Sequence, residues 1–478
     1  MKSIATLVTE KPWLGWVLFL ITLLIVVVLG ISTTSVLDRT GEEIREFQMV
    51  TTIGEMEVDS SVWGKNFVRE FDTWLKTKET DFKSKYNGSA MRDMLEEDPR
   101  WVILWAGYGF AKDYNQGRGH AHTIEDTRNT LRTNSGMPGT CWTCKSTDVP
   151  RLMNKLGDLD KFYGAKWEDW VEEIKNPIGC LDCHDPKTMN LRISRPALLE
   201  VYERMGKDID DATHQEMRSL VCAQCHVEYY FKGEHKHLTF PWDKGMTMED
   251  MEKYYDEYNF SDWRHKLSKV PMVKPQHPDF ELFRTGIHSQ RGLACADCHM
   301  PYNAEGGMKY SNHHVTSPLK YISKTCVTCH RESEEDLTNN VYERQDKVKE
   351  ATSSAVEMLT HAHVEAKAAW DNGATEEEMK PAIELIRKAQ WRCDFVAASH
   401  GAPFHAPLES ARILADSIKL AGEARLALAA VLTEHNVAQP VQMPDISTKA
   451  KAQAYIGLDM DAERAKKAAD LKTWSKLK

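Results

Sequence analysis

The chain has 478 residues, with 61 Lys or Arg against 71 Asp or Glu, so its formal net charge is −10. This acidic balance, without a basic run or an arginine-rich arm, argues against a nucleic-acid partner. A chain of this length would ordinarily form two or three domains.

The first predicted element is an apolar helix near the N-terminus. Residues 12–31 (PWLGWVLFLITLLIVVVLGI) carry no charge, and Lys2 and Lys11 precede them. Such a stretch spans a bilayer as a helix, and the lysines favour a cytoplasmic N-terminus, which places the rest of the chain on the periplasmic side of the membrane. Because the apolar core is long and no Ala-x-Ala site follows, we expect residues 1–35 to be an uncleaved anchor, with a cleaved signal peptide as the alternative.

Residues 60–130 are predicted to form short helices and loops, and five Cys-x-x-Cys pairs follow them. The pairs are Cys141 with Cys144, Cys180 with Cys183, Cys222 with Cys225, Cys295 with Cys298, and Cys326 with Cys329. Two thiols at this spacing form thioethers to both vinyl groups of one haem, and the next residue then lies under the ring as an axial iron ligand. Four pairs are followed directly by histidine, at His184, His226, His299 and His330. Structural zinc or disulfides are the alternatives, but neither explains these histidines.

The first pair is followed by Lys145 instead. An amine binds iron only when it is deprotonated, which a metal and a desolvated site can enforce. A haem with histidine on both faces is saturated and passes electrons, whereas lysine ligation indicates a haem whose other face is open to substrate. The alternative is an ordinary surface lysine beside a degenerate haem motif.

The last third of the chain predicts long helices. Residues 336–371, 376–397 and 407–435 are rich in Ala, Glu, Leu and Lys, with apolar spacing near 3.6. Helices of this length pack on each other or on a second copy of the chain, which predicts a homodimer. Since no period-2 pattern of any length is present, the predicted fold is mostly α, with a loop-rich haem core at residues 36–335 and a long-helix region at residues 336–478 in the same domain.

The order of the motifs, with lysine after the first pair and histidine after the other four, resembles that of the pentahaem cytochrome c nitrite reductases, which form ammonia. The resemblance covers nearly the whole chain after the apolar helix and implies a multihaem cytochrome c fold. Its segments are Arg118–His120, Thr130–Thr133, Cys225–Phe231, Phe240–Trp242, Lys274–Pro278, Gly286–His288, Ala389–Arg392, Ser399–Gly401, His405–Pro407 and Pro444–Lys449. Cys393, the one cysteine outside the pairs, departs from the family pattern and is interpreted as a small buried apolar residue.

The resemblance implies a catalytic haem in the first motif, with Lys145 as proximal ligand and Arg132, Tyr229 and His277 on the substrate side. The chemistry of these residues suits nitrite, a small anion that must lose both oxygens as water. Arginine and histidine supply charge-assisted hydrogen bonds, and tyrosine offers a further donor. Taken singly, each of these residue types is more often structural.

The remaining four haems need four distal histidines. By position, His120, His288, His313 and His405 match the family's distal ligands to the haems of the third, fifth, second and fourth motifs respectively. Nearby histidines leave alternatives open, and these are His122, His314, His400, His235 and His237.

A calcium site is also implied by the resemblance alone. Its ligands are the Glu228 carboxylate, the Gln276 amide oxygen and the backbone carbonyls of Tyr229 and Lys274. Oxygen-only coordination is what a hard cation prefers, and another cation is the alternative. The expected role is to hold the loop that carries Tyr229 and His277.

The implied function is the six-electron reduction of nitrite to ammonium by an enzyme with five covalently bound c-type haems and Ca²⁺. Electrons would come from a membrane-bound multihaem quinol dehydrogenase, and nitric oxide and hydroxylamine are expected alternative substrates. A multihaem electron conduit without its own substrate is the main alternative, and it gives no role to Arg132, Tyr229 and His277. Related enzymes that act on hydroxylamine or sulfur oxyanions usually carry eight motifs, whereas this chain has five.

Overall fold

The computed structural model describes residues 8–43 and 49–475. The chain divides into two compact units, Met1–Thr52 and Ile53–Lys478. The cysteine motifs and the predicted long helices all lie in the second unit.

The first unit contains the helix Pro12–Glu43. Its segment Pro12–Ser35 is long and apolar enough to cross a membrane, as judged by length and composition. The hydroxyls of Thr22, Thr33 and Thr34 donate to backbone carbonyls one turn earlier, which satisfies these polar groups inside the helix. The predicted apolar helix is therefore present, and its role as anchor or signal segment stays a prediction.

The second unit consists mainly of helices joined by loops, which confirms the predicted mostly α fold. Its α-helices are Ser60–Gly64, Val68–Leu75, Met94–Glu97, Arg100–Leu104, Thr123–Asn129, Asp148–Leu156, Leu159–Gly164, Cys180–Cys183, Pro196–Arg204, His214–Ala223, Met248–Glu257, Asp279–Thr285, Ile287–Gln290, Cys295–His299, Glu334–Asp371, Glu376–Ala398, Ala402–His405, Pro407–Glu434, Lys449–Tyr455 and Met460–Trp474. Its 3₁₀ helices are Lys76–Lys78, Gly109–Ala111, His120–His122, Leu131–Ser135, Gly139–Cys144, Trp167–Trp170, Ile209–Asp211, Pro318–Tyr321 and Cys326–Thr328.

The strands form two-stranded antiparallel hairpins of two to four residues a strand. They pair Tyr230–Lys232 with His237–Thr239, Trp263–Arg264 with Pro271–Met272, and Tyr302–Glu305 with Met308–Ser311. Strands this short carry too few residues to show a period-2 pattern, so the sequence did not predict them. The first hairpin matters for the site because it begins directly after Tyr229.

The cysteine motifs lie in helical turns or, for the third motif, at the end of the helix His214–Ala223. In the second and fourth motifs the third residue is an aspartate that accepts a hydrogen bond from the residue just before the turn. The backbone N–H of Gly179 donates to Asp182 at 2.7 Å, and the N–H of Ala294 donates to Asp297 at 2.7 Å. A helical turn places residues three apart on one face, so both cysteines of a pair point the same way.

Three long helices pack side by side at the C-terminal end of the unit. We call Glu334–Asp371, Glu376–Ala398 and Pro407–Glu434 the first, second and third long helices. Their bounds lie within two residues of the predicted ones. Ser333 precedes the first helix and Thr375 precedes the second, and each caps its helix with its side chain.

A buried polar network joins the long helices to the rest of the unit. The rings of His265 and His363 stack with centres 3.8 Å apart, and His363 Nε2 donates to Gln390 Oε1 at 2.6 Å. Gln390 in turn donates to the Leu104 carbonyl at 2.7 Å. Burial lowers the pKa of His363 to about 4, so the network holds a neutral imidazole. Cys393 is fully buried nearby in the apolar core, as expected of a small apolar residue.

Candidate active site

A large cavity of about 1800 Å³ runs through the second unit. Typical small-molecule pockets are about 300–1,000 Å³, so this space suits several large groups rather than one small ligand. It is lined by the ten paired cysteines, by Lys145 and the histidines that follow the other motifs, by His120, His288, His313 and His405, and by Arg132, Tyr229 and His277. All eleven cysteines are free of disulfides. The residues predicted to bind and surround the haems therefore share one space.

The motifs follow a different order in space from their order in the chain. The Cys144 and Cys225 thiols lie close enough to shift each other's pKa, which places the first motif beside the third. Cys222 and Cys295 form a second such contact, between the third motif and the fourth. Weaker electrostatic contacts join the fourth motif to the fifth and the third to the second. The spatial order is thus first, third, fourth, fifth, with the second motif beside the third.

The predicted axial histidines face each other in pairs. The ring centres of His184 and His313 are 6.1 Å apart, and those of His299 and His405 are also 6.1 Å apart. With an iron–nitrogen bond of about 2 Å on each face, two imidazoles on one iron have ring centres about 6.3 Å apart. These two pairs fit that geometry.

The other two predicted pairs belong to the fifth and third motifs. His288 and His330 have ring centres 6.4 Å apart, which also fits a shared iron. His120 lies close enough to His226 for the charge of one to lower the pKa of the other, although burial is the larger cause of the lowered pKa of His120. The fold therefore brings the two histidines of each predicted pair close together.

Separation alone does not identify a ligand pair, because His277 lies 6.1 Å from His226 and 6.4 Å from His400 by the same measure. The hydrogen bonds of the rings are more selective. The Nδ1 atoms of His184, His299 and His313 bond to backbone carbonyls at 2.8, 2.9 and 2.9 Å. Donation from Nδ1 leaves the Nε2 lone pair for a metal, which is the usual arrangement of a ligating histidine.

The ring nitrogens of the alternative histidines contact other groups than those of the predicted ligands. His122 uses both ring nitrogens, with Glu125 and with the Lys78 carbonyl. His400 Nε2 lies 3.3 Å from the Tyr114 hydroxyl, and His314 Nδ1 lies 2.8 Å from that of Tyr321.

His237 and His235 also lie apart from the predicted ligands. His237 is held between Asp160 at 3.0 Å and Glu200 at 3.0 Å. His235 lies beside Gly164. Neither residue lines the cavity.

Lys145 directly follows the helical turn Gly139–Cys144. Its backbone N–H donates to the Trp142 carbonyl at 2.9 Å, and its own carbonyl accepts from the Thr123 hydroxyl at 2.7 Å, so its position is fixed. Within the described part of the chain its ammonium group has no hydrogen-bond or ion-pair partner, and the side chain lines the cavity. An unpaired lysine at this place is available to a metal that can displace its proton.

Arg132 is likewise available to an anion. Its Nε donates to the Thr130 hydroxyl at 3.3 Å, and the guanidinium carbon lies 4.5 Å from the centre of the Phe110 ring. Among the described residues it forms no ion pair with a carboxylate. The stacking leaves one edge of the guanidinium free for bidentate hydrogen bonds.

Tyr229 and His277 are both hydrogen-bond donors in their neutral forms. Burial raises the pKa of Tyr229 well above its usual value, so the phenol keeps its proton. Burial, followed by the charge of Lys145, lowers the pKa of His277 well below its usual value. The pocket therefore favours a neutral His277 ring that donates a hydrogen bond.

The predicted cation site contains a buried carboxylate that forms no ion pair with any residue the structure describes. Glu228 is fully buried, and burial raises its pKa well above the usual value. Its oxygens accept from the Tyr255 hydroxyl at 2.9 Å and the Gln276 backbone N–H at 2.6 Å. The Gln276 side-chain amide lies 2.7 Å from the Lys274 carbonyl, and rotating the amide would turn its oxygen toward a cation there. This donor set fits a hard cation.

Two neighbouring acids were missed in the sequence. Asp279 accepts from the Ser399 hydroxyl at 2.6 Å and lies 3.6 Å from His226 Nδ1, where it can orient that ring. Glu281 accepts from the Glu228 backbone N–H at 2.9 Å, and burial raises its pKa to about 8. In the sequence, the only feature that could have indicated their role is that they directly follow the segment that carries His277.

Arg195 was also missed. It is fully buried and pairs with Asp182 of the second motif at 2.5 Å. It also donates to the Thr143 carbonyl of the first motif at 2.6 Å. One side chain thus joins two haem-binding segments, and no pattern in the sequence marks it.

Comparisons with known proteins agree with this geometry. The family model of cytochrome c552 matches residues 59–477. Cytochrome c-552 of Bacteroides thetaiotaomicron is 57% identical over 471 residues, which cover 97% of this chain and 95% of that protein. Cytochrome c-552 of Porphyromonas gingivalis is 53% identical over 472 residues, with the same coverage.

A solved structure matches as well. It is the catalytic subunit of cytochrome c nitrite reductase from Desulfovibrio desulfuricans, described for its two calcium sites, and it superposes with a TM-score of 0.76. The two are 32% identical, and the match covers 86% of this chain and 91% of that one. These matches confirm the resemblance predicted from the motifs. The chain belongs to the cytochrome c552 family.

Proposed function

We propose that the protein is an ammonia-forming nitrite reductase that carries out the six-electron reduction of nitrite to ammonium. The observation that carries the proposal is the unpaired Lys145 side chain in the cavity that also holds the free guanidinium of Arg132. A histidine in place of Lys145 would indicate another electron carrier, and the arginine would then have no substrate to bind.

The cavity residues can hold five haems. Cys141 and Cys144 would bind the first, with Lys145 beneath it, and the other eight paired cysteines would bind the rest. The proposed axial pairs are His184 with His313, His226 with His120, His299 with His405, and His330 with His288. When bound, the haems supply the redox chemistry and a metal centre that accepts the nitrite.

The protein's own residues bind the substrate and donate hydrogen bonds to it in this proposal. Arg132 provides a fixed positive charge for the nitrite oxygens. Tyr229 and His277 line the same cavity and would donate hydrogen bonds to the nitrite oxygens. Buried donors of this kind need little rearrangement during the reaction, so they stabilise the developing charge.

The proposed cation is calcium, held by the Glu228 carboxylate, the Gln276 amide oxygen and the carbonyls of Tyr229 and Lys274. Gln276 directly precedes His277, and Tyr229 follows Glu228 in the chain. A cation between these residues would therefore tie the two substrate-side segments together.

The proposed electron route uses the spatial order of the motifs. A membrane-bound multihaem quinol dehydrogenase would supply the electrons, and haems held by the first and third motifs would be neighbours because Cys144 lies beside Cys225. The apolar helix Pro12–Ser35 is compatible with an enzyme that is anchored in the membrane and acts on its periplasmic side. The long helices remain our proposed homodimer interface.

The decisive experiment measures ammonium formed per nitrite consumed by the haem-loaded protein with reduced viologen dye. We expect one ammonium per nitrite, and a sharp loss of activity in Lys145→His. The matched control is Lys155→His, which changes an exposed lysine that lies outside the cavity. A fully reduced protein that consumes no nitrite would contradict the proposal and favour an electron conduit.

A further inference from the structure

The C-terminal helix Met460–Trp474 lies against the short segment Leu131–Ser135 that carries Arg132. Lys467 is 4% exposed, and its ammonium donates to the Thr133 hydroxyl and to the Arg128 carbonyl, the latter at 3.2 Å. The residue directly after Arg132 is therefore fixed by a side chain far away in the sequence.

The next residue, Asn134, makes a double contact with the same helix. Its side-chain amide donates to the Glu463 carbonyl at 2.9 Å and to the Glu463 carboxylate at 2.8 Å. Lys466 donates to the Asn134 carbonyl at 2.5 Å. Lys112 adds an ion pair with Glu463 at 2.6 Å. Asn134 is thus held through both its side chain and its backbone.

The helix also reaches the other side of the catalytic motif through three tryptophans. Trp474 lies 5.0 Å from Trp167, and Trp167 stacks on Trp142 at 4.6 Å, as measured between ring centres. Trp142 lies between Cys141 and Cys144, and its indole donates to the Trp167 carbonyl at 3.0 Å. The same helix therefore contacts the substrate side and, through this stack, the lysine side of the first motif.

The surroundings of Lys467 indicate a positional role. Burial lowers its pKa to about 8, so the side chain is still charged at pH 7. Its direct partners are a hydroxyl, a carbonyl and the Trp474 ring, whose centre lies 5.1 Å away. Among the described residues it forms no ion pair with a carboxylate, so burying its charge is costly. The charged groups around it are Asp470 and Lys466 on its own helix and Asp113 and Glu168 on other elements.

We propose that the helix Met460–Trp474 is a brace for the first haem motif, and that Lys467 and Glu463 are positioning residues for Arg132. This inference rests on the proposed function, because it assigns the substrate-binding role to Arg132. The brace leaves the guanidinium free while it fixes the backbone on the C-terminal side of that residue. Leu131, on the other side, is held by Asp113, which accepts from its N–H at 3.1 Å.

The experiment uses the haem-loaded full chain and compares Lys467→Met with Lys472→Met, which changes an exposed lysine of the same helix. Hydrogen exchange of the amides at residues 131–135 and the nitrite KM and kcat are measured for each. In Lys467→Met we expect faster exchange in this segment and a KM raised roughly fivefold, with kcat less affected, since the loss of one hydrogen bond typically changes an equilibrium by about that factor. Lys472→Met should match the wild type in both measurements.

Glu463→Gln is a second variant, which keeps the buried ammonium of Lys467. It tests the proposal if Lys467→Met does not fold. It should show the same direction of change. Unchanged exchange at residues 131–135 overturns the proposal, and so does faster exchange with an unchanged KM, which would make the helix a stability element only. If the wild type consumes no nitrite, the proposed function fails separately, and the exchange data alone still test the brace.

Discussion

His313 faces His184 across the cavity with ring centres 6.1 Å apart, and the Nδ1 of each ring bonds to a backbone carbonyl. This arrangement turns the two Nε2 atoms to a shared space and holds both rings against rotation. His314, the next residue, instead places its Nδ1 2.8 Å from the Tyr321 hydroxyl.

The first prediction concerns this neighbouring pair. His313→Ala should convert one haem from low spin to high spin, because its iron would lose its second strong-field ligand. Electron paramagnetic resonance and visible spectra of the oxidised protein would detect the change. His314→Ala is the matched control and should leave the spectrum unchanged. A spin change in His314→Ala but not in His313→Ala would show that His314 is the iron ligand and would contradict the prediction.

The second prediction concerns Arg132. Arg132→Gln removes the guanidinium charge and leaves a neutral hydrogen-bond donor on a shorter side chain. Loss of a charge-assisted hydrogen bond costs about 1.5–3 kcal/mol, so the nitrite KM should rise roughly tenfold to a hundredfold. Steady-state kinetics over a range of nitrite concentrations would measure it. If Arg132→Gln binds nitrite as the wild type does, the anion lies elsewhere in the cavity.

The third prediction concerns the buried acids Glu228 and Glu281. Glu228→Gln should abolish stoichiometric calcium in the purified protein, because the proposed site has no other carboxylate. Glu281→Gln should retain calcium, since the Glu281 Oε1 atom accepts from the Glu228 N–H and the Trp242 indole. Metal analysis after dialysis separates the two cases. Loss of calcium in Glu281→Gln but not in Glu228→Gln would show that Glu281 is the carboxylate ligand.

The fourth prediction concerns His237 and its two carboxylate partners. The hydrogen bond to Glu200, together with that to Asp160, raises the pKa of His237. A group with a raised folded-state pKa stabilises the fold below its unfolded value, about 6.5, and loses this contribution as pH rises through the folded value. The melting temperature of His237→Gln should therefore fall further below that of the wild type at pH 6 than at pH 9.

The expected size of this effect is up to about 1 kcal/mol, as for other partly exposed ion pairs. His235→Gln, two residues away in the sequence, is the control variant. An equal difference in melting temperature at both pH values would mean that His237 contributes through packing rather than charge.

Local patterns in the sequence predicted much of this molecule. The long helices follow from apolar spacing and from caps such as Ser333 and Thr375, so their bounds were predicted to within two residues. The cysteine pairs are equally local, because the chemistry of attachment needs only five consecutive residues. Fold class and family were accessible for the same reason.

Contacts between segments that lie far apart in the sequence could not be predicted from it. Asp279, Arg195 and Lys467 act on residues of other segments, and nothing next to them in the sequence marks that role. The spatial order of the motifs is of the same kind, since the proximity of Cys144 and Cys225 depends on the path of the whole intervening chain. The resemblance supplied the pairing of the axial histidines, and spacing alone did not.

The hydrogen bond between Asn134 and Glu463 joins residues 329 positions apart. During synthesis, the segment beside the catalytic motif therefore emerges long before the helix that holds it. Contacts of such long range form late in folding because the chain must first close a large loop. We therefore expect the segment that carries Arg132 to reach its final position only when the helix Met460–Trp474 packs against it.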